Sequence, residues 1–434
     1  MRRKTFLILI VLTMMVMQGC AFFKLQDELN LLASTTGIGG KLFSETPKQL
    51  PVFVVLYAEE ESGSFSIVQY VLVDPQTHAW GMRVDQGDYY VIAFEDANGN
   101  FSFDAGEYFG VYGRPDRIRI PLLATRNELH ITVASTAAFP VGFSTDLPVV
   151  ESLKDQARMS NLQVAFGKLA TLDDERFSIA NASKGFWQPV SFLDDVGTGI
   201  YFLEEYDPHK IPVLFVHGAV GSPQVFTHIV EHMDRSRFQP WFFHYPSGMP
   251  LEKVSRFLNR QVSLLAKKYG FEEIYVTAHS MGGLVARSFI LRNVYDDGNG
   301  YVRLLVSIST PWDGVEAAES GVKNAPTAIP SWHDVVPGSL FLSHVFERSL
   351  QPEVDFYLFF SHSGGGSMFM GNNDGSVSIS SQLDMEAQED ALERWGFDED
   401  HSSILQSRQV AARYNRILEK TYDKNPRLQF LTEP

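Results

Sequence analysis

The sequence predicts an α/β architecture preceded by a small all-β domain, and three observations predict it. The β-prone run Ile274-Tyr275-Val276-Thr277 leads into Ala278-His279-Ser280-Met281-Gly282, and an apolar helical pattern at Leu284, Val285, Phe289 and Ile290 follows. That is strand, sharp turn and helix, with a serine at the apex. A second buried-strand pattern, Ile211–Val216, runs into His217-Gly218-Ala219. Upstream of both, residues 49–137 hold short β-rich runs split by Gly-, Asp- and Pro-bearing turns, with no helical periodicity. A chain of 434 residues has room for roughly two or three domains.

At the N-terminus, Met1-Arg2-Arg3-Lys4 is positive and residues 6–17 form an almost uninterrupted apolar run, too short to span a bilayer comfortably. The run ends at Gln18-Gly19-Cys20, and Cys20 is the only cysteine of the chain. An intramolecular disulfide is therefore excluded, and thiol catalysis is not indicated. A lone cysteine directly behind such a run, with Gly before it, resembles a bacterial lipobox, although Met17-Gln18 stand where that motif prefers leucine and a small residue. Residues 1–20 are thus expected to be a lipoprotein-type signal peptide, with Cys20 the lipidated residue and lipid chains holding the protein to a membrane. Ala21 behind the cysteine then favours the outer membrane of a bacterial envelope. A formal net charge of −16 argues against nucleic-acid binding. The apolar fraction of 44% argues against disorder.

Residues 45–138 are expected to form a β-sandwich, with strands near 51–57, 65–73, 89–94, 118–122 and 129–133. Within it, the run from Asp96 to Glu107 sets the oxygen-bearing side chains of Asp96, Asn98, Asn100, Asp104 and Glu107 at positions 1, 3, 5, 9 and 12. That is the ligand rhythm of a calcium loop. The glycine is at position 4 rather than 6 and strands flank the run, so it is not an EF-hand. Two readings stay open, a structural calcium site between strands and an Asn-Gly hairpin with a solvated acidic tip. Residues 139–184 read as a linker and a lead-in helix over 151–172, and a catalytic domain is placed at 185–434.

A serine hydroxyl is a weak nucleophile near neutral pH; it needs a base in reach, and the base needs an orienting acid. Ala278 stands where the serine turn more often carries glycine. Small residues here and at Gly282 let strand and helix approach, so that the hydroxyl projects into a cleft. Asn372-Asn373-Asp374-Gly375 offers an acid in a turn, and His401 precedes a helical pattern. Rivals for the base are His279, His333 and His362; rivals for the acid are Asp355, Asp384, Asp398 and Asp400. His217 is read as shaping the loop behind Val216 rather than as a base. The stretch 312–343, with Pro326, Pro330, Pro337, Trp332 and His333, is read either as a lid or acyl-pocket wall or as plain connecting structure.

On these motifs the chain from about Gly185 onward is similar to the α/β-hydrolase superfamily, in its lipase/esterase branch. Three more segments carry the resemblance. Ser309-Thr310-Pro311-Trp312-Asp313-Gly314 resembles the threonine-proline-x-x-glycine turn of that branch, Val336-Pro337-Gly338-Ser339 its proline-glycine-serine segment, and Asn373-Asp374-Gly375 its acid turn. The resemblance implies a mostly parallel sheet flanked by helices. It also implies Ser280 as nucleophile, His401 as general base and then acid, Asp374 as orienting carboxylate, and the Ala219 and Met281 amides as oxyanion hole. The implied activity is hydrolysis of carboxylic esters, lipid-like ones in particular, with no cofactor for catalysis. An acyltransferase on the same scaffold and a non-catalytic binding lipoprotein remain the alternatives.

Overall fold

The computed structural model describes residues 22–28, 35–44, 51–73, 78–98, 100–113, 116–121, 128–134, 138–147, 164–364 and 372–424. The expected signal peptide and Cys20 lie outside these residues. The chain divides into two compact units. One comprises Met1–Leu25, Val164–Phe192 and Gly197–Pro434, the other Gln26–Gln163 and Leu193–Val196.

The N-terminal unit is rich in strands: β1 (Thr35–Ser44), β2 (Val52–Glu59), β3 (Phe65–Leu72), β4 (Ala79–Asp85), β5 (Gly87–Glu95), β6 (Phe109–Val111), β7 (Ile118–Ile120) and β8 (Ile131–Val133). They form two sheets, β4-β1-β8 and β3-β2-β5-β6, with β7 also paired to β5. Alternation along β2 sorts its side chains. Val52, Val54 and Leu56 join Ile38, Trp80, Met82 and Val91 in one apolar core. Phe53, Val55 and Tyr57 join Phe94, Phe103 and Phe109 in a second, mostly aromatic one. A strand buried on both faces has no polar side, which is why 52–57 reads as a continuous apolar run. β1 starts ahead of residue 45, the expected limit of this region. Its sequence TTGIGGKLFS has too little apolar alternation to announce a strand; antiparallel pairing with β4 and parallel pairing with β8 define it.

In the second unit, β9 (Val164–Leu169), β10 (Thr198–Phe202), β11 (Ile211–Val216), β12 (Phe238–His244), β13 (Ile274–His279), β14 (Val302–Ile308), β15 (Asp355–Ser361) and β16 (Glu393–Phe397) build one sheet. Its order is β9-β10-β12-β11-β13-β14-β15-β16. β10 and β12 are antiparallel, and the other neighbours are parallel. β11, β12 and β13 are buried along their whole length, as helices on both faces of a parallel sheet require. On one face Leu258 and Val262 of the helix Leu251–Tyr269, and Leu284 and Val285 of the helix Met281–Leu291, pack with Leu214, Val216 and Val276. On the other, Val410, Tyr414 and Ile417 of the helix Arg408–Asp423 pack with Val213, Phe215 and Tyr275. This is the sheet-and-helix arrangement that the resemblance implies.

One expectation is corrected. Residues 164–169 do not belong to a lead-in helix, and the sheet starts before 185, because β9 is its edge strand and runs parallel to β10. Gly167 at φ +73° and the neighbouring Lys168 interrupt any apolar period there. The partner strand, rather than the local pattern, specifies β9. Among the described residues no helix is long and apolar enough to cross a membrane.

Candidate active site

Ser280 follows β13, Asp374 follows β15 and His401 follows β16. All three therefore hang from the carboxyl ends of parallel strands, where open α/β sheets form their clefts. Ser280 is held at φ +55°, ψ −135° between strand and helix, a conformation that costs a non-glycine residue about 1–3 kcal/mol. Its surroundings enforce it. A Cβ on Gly282 would lie 2.4 Å from the carbonyl oxygens of Val216 and His217, and one on Gly218 would lie 2.7 Å from Ser280 Cβ. Only glycine permits both approaches, so the elbow and the loop behind β11 meet at the serine.

The three side chains form one hydrogen-bonded line. Ser280 Oγ is 2.9 Å from His401 Nε2, and His401 Nδ1 is 2.7 Å from Asp374 Oδ2. With the carboxylate ionised, Nδ1–H donates to it and Nε2 is left to accept from the serine hydroxyl. The His401 backbone N–H also donates to the Asp374 carbonyl at 2.8 Å, tying the two loops together.

Asp374 is fully buried. Its Oδ1 accepts the N–H groups of Ser376 at 3.0 Å and Val377 at 2.8 Å. Its Oδ2 accepts the Ser361 hydroxyl at 2.7 Å and the Gln382 amide at 3.1 Å. Ser309 Oγ stands 2.6 Å behind Ser361 Oγ. Burial pushes the Asp374 carboxyl up, but His401, Ser361 and the Val377 amide outweigh it and hold it below the ordinary carboxylate value.

Two buried histidines support this line without joining it. His279 Nε2 donates to the His401 carbonyl at 2.8 Å, and burial, with the nearby His401, depresses its own pKa to about 3. It is neutral and positions the His401 loop. His217 Nδ1 donates to the Gly218 carbonyl at 2.9 Å, its ring stacks on Tyr245 at 4.4 Å, and its Nε2 faces the Tyr245 N–H. Burial lowers its pKa to about 4. These contacts shape the loop behind β11. In that loop Gly221 N–H donates to the Gly218 carbonyl at 3.2 Å, and Ser247 Oγ receives the Val220 N–H at 3.0 Å. The turn carries the Gly218-Ala219 peptide to Ser280, on which the helix starting at Met281 directly follows. First-turn amides of a helix have no intrahelical acceptor.

The rival acids are engaged elsewhere. Asp355 receives Lys424 Nζ at 2.6 Å, Asp384 caps the helix Met385–Asp390, and Asp400 accepts the Ser402 and Ser403 amides. Asp398 stands 4.0 Å from His362. Neither the rival histidine His362 nor His333 reaches the serine. The stretch 312–343 folds into short helices, Glu316–Asn324, Pro330–Asp334 and the start of Leu340–Val345. Ser339 in it caps the last of these through the Leu342 N–H and donates to the Asp334 carbonyl at 2.6 Å. Sequence reasoning missed Ser361, Gln382 and the positioning role of His279. Ser361 and Gln382 sit in no motif; the one available signal is that β15 ends in a polar residue at the position next to the acid loop.

In the N-terminal unit the oxygen-bearing residues of 96–107 also come together, residue 99 lying outside the described residues. Asp96 accepts the Asn100 and Phe101 amides, both at 3.1 Å. Asn98 and Asn100 donate to Asp104 Oδ2 at 2.7 and 2.8 Å. Glu107 accepts the Ala97 and Asp104 amides at 2.6 and 2.9 Å.

A family model described as an alpha/beta hydrolase of unknown function, DUF915, matches residues 249–333. Among curated proteins the chain has no match. Several solved structures are similar at low identity. Bacillus licheniformis lipase BlEst2 in mature form is 16% identical, covers 50% of this chain and 94% of its own, and has a TM-score of 0.39. The lin2722 product of Listeria innocua is 15% identical over 49% of this chain and 94% of its own, with a TM-score of 0.38. A carboxylesterase from the Thaumarchaeon Nitrososphaera gargenis is 10% identical over 53% and 97%, with a TM-score of 0.36. Likenesses this remote say nothing of chemistry. The strand order, the elbow behind β13 and the family match over 249–333 give the second unit the α/β-hydrolase fold.

Proposed function

We propose that the chain is a serine hydrolase of carboxylic esters, lipid-like ones in particular, working through an acyl-enzyme. The observation that carries this reading is the line Ser280–His401–Asp374 set at a strained elbow. Ser280 Oγ attacks the ester carbonyl while His401 Nε2 takes its proton. The negative charge that develops on the carbonyl oxygen is met by the Ala219 and Met281 amides, one such donor being worth about 3–4 kcal/mol in the transition state. Asp374 stabilises the imidazolium. The tetrahedral species collapses as His401 hands its proton to the leaving alcohol, and water then repeats the sequence on the acyl-enzyme. The chemistry needs no cofactor.

A fluorophosphonate probe tests this on the full chain. Labelling of the wild type that disappears in Ser280→Ala, with turnover of p-nitrophenyl esters, supports it. A wild type that resists labelling and turns over no ester in the series removes it. Product analysis with an added alcohol separates hydrolysis from acyl transfer, since a transferase gives the new ester instead of the acid. For the address, we propose lipidation at Cys20 and anchoring in the outer membrane; radiolabelled palmitate should enter the wild type and not Cys20→Ala. We also propose that the 96–107 loop binds a structural calcium ion, supported by its donor spacing. Calcium added to the chelator-stripped chain should then raise the melting temperature of the wild type but not of Asp96→Asn with Asp104→Asn.

A further inference from the structure

Beyond the loop behind β11, the turn Pro223–Phe226 leads into the short helix Thr227–Glu231. Ile229 and Val230 of this helix are buried with Phe226, Ile404 and Leu405. His228, Glu231 and His232 occupy positions i, i+3 and i+4, which place side chains on one flank of a helical turn. One ring nitrogen of each histidine and one carboxylate oxygen of Glu231 all lie within 4.8 Å of one another. The two imidazole centroids are 4.2 Å apart.

Two details go beyond proximity. His232 Nδ1 donates to the His228 carbonyl at 2.8 Å. That selects the neutral tautomer whose Nε2 carries a lone pair, and metal-bound histidines hold their second nitrogen in just this way. His228 Nε2 is shielded from solvent and has no hydrogen-bond partner, a state that a bound ligand relieves. The helix end is also fixed from outside, because Asn415 Nδ2 donates to the His232 carbonyl at 2.6 Å.

The donor set decides the ion. Two imidazole nitrogens and one carboxylate suit a borderline cation, whereas calcium and magnesium prefer all-oxygen shells. Zinc–ligand bonds of about 2.0–2.2 Å place tetrahedral donors roughly 3.3–3.6 Å apart, so about an ångström of side-chain rotation closes the group.

We propose that His228, Glu231 and His232 bind one zinc ion, with water in the fourth position. The site is structural. None of its residues joins the line at Ser280, and the helix that carries it packs on Ile404 and Leu405, in the turn just behind His401. Zinc therefore stiffens the support of the His401 loop from its solvent side. The inference is independent of the ester-hydrolase reading.

The test uses the full chain without a polyhistidine tag, stripped with chelator and titrated with zinc chloride by calorimetry, with bound metal counted by mass spectrometry. One equivalent should bind. Affinity should fall at least tenfold in His228→Gln and in His232→Gln, fall less in Glu231→Gln, and stay unchanged in the control His344→Gln. Zinc should raise the melting temperature of the wild type and of the control only. Cobalt in place of zinc should give the intense visible bands of a four-coordinate site. Absence of stoichiometric binding, or binding and stabilisation that survive both histidine substitutions, overturns the proposal. Circular dichroism of each variant separates lost binding from lost fold.

Discussion

Asp374 and Asp390 are both buried carboxylates of the same unit, yet they keep different company. Asp374 faces an imidazole, with Ser361, Gln382 and two amides around it. Asp390 faces a permanent cation. Arg287, 1% exposed, donates to it at 2.6 Å, and the Ser349 hydroxyl and Leu350 amide complete its shell. Burial opposes ionisation at both, and in both the partners win and hold the carboxyl below its ordinary value. The lesson is in the partner. A guanidinium never gives up its proton, so the Asp390 pair fastens the helix Met281–Leu291 to its surroundings. An imidazole takes and returns a proton, so the Asp374 pair is suited to turnover.

The sharpest break of this parallel is Asp374→Asn. On the proposed mechanism kcat should fall by about 10⁴, since the amide no longer selects the productive tautomer of the base. The melting temperature should fall by less than in Asp390→Ala, because the Ser361 hydroxyl and the His401 ring can turn to accept from the new NH2 group and only the Gln382 amide stays opposed to it. Asp390→Ala should do the reverse. It strands Arg287 and should cost about 3–5 kcal/mol in denaturant unfolding, with kcat of the folded fraction nearly unchanged. Replacing the whole pair, Arg287→Met with Asp390→Leu, should restore most of that loss, which separates an unpaired charge from a missing contact. A smaller effect is expected at Gln382→Leu, which removes one donor from Asp374 Oδ2. A roughly tenfold drop in kcat with KM unchanged would mark a positioning role; equal changes in both, or none, would make it a packing residue.

Acid should act on both carboxylates with the same sign. Their folded pKa values lie below the unfolded value of about 3.9, so their contribution to stability is complete above it and is lost as pH falls through the folded values. Melting temperature measured against pH should therefore decline below about pH 4. The decline should be shallower in the Arg287→Met, Asp390→Leu variant.

What could be read in the chain follows from how locally each feature is encoded. The elbow was legible because strand, turn and helix signals fall within a few residues around Ser280. The loop behind β11 was legible for the same reason. β2 and β11 announced themselves as apolar runs because both their faces are covered. β1 and β9 did not, since each owes its conformation to partner strands far away in sequence. Ser361 and Gln382 were invisible for a related reason. An ordinary serine and glutamine acquire a role only when β15 and the helix Ile379–Gln382 bring them to Asp374. The His228 group was overlooked although its spacing is local, because nothing in the chain marks that stretch as helical.

The positive φ of Ser280 has a further bearing. Glycine adopts that geometry freely, so Ser280→Gly should relax the bend and make the fold more resistant to heat by about 1 kcal/mol while abolishing turnover. Directed evolution guided by thermal survival alone would then drift toward an inert variant at this position. Any screen for a hardier form must count product molecules as well as surviving protein.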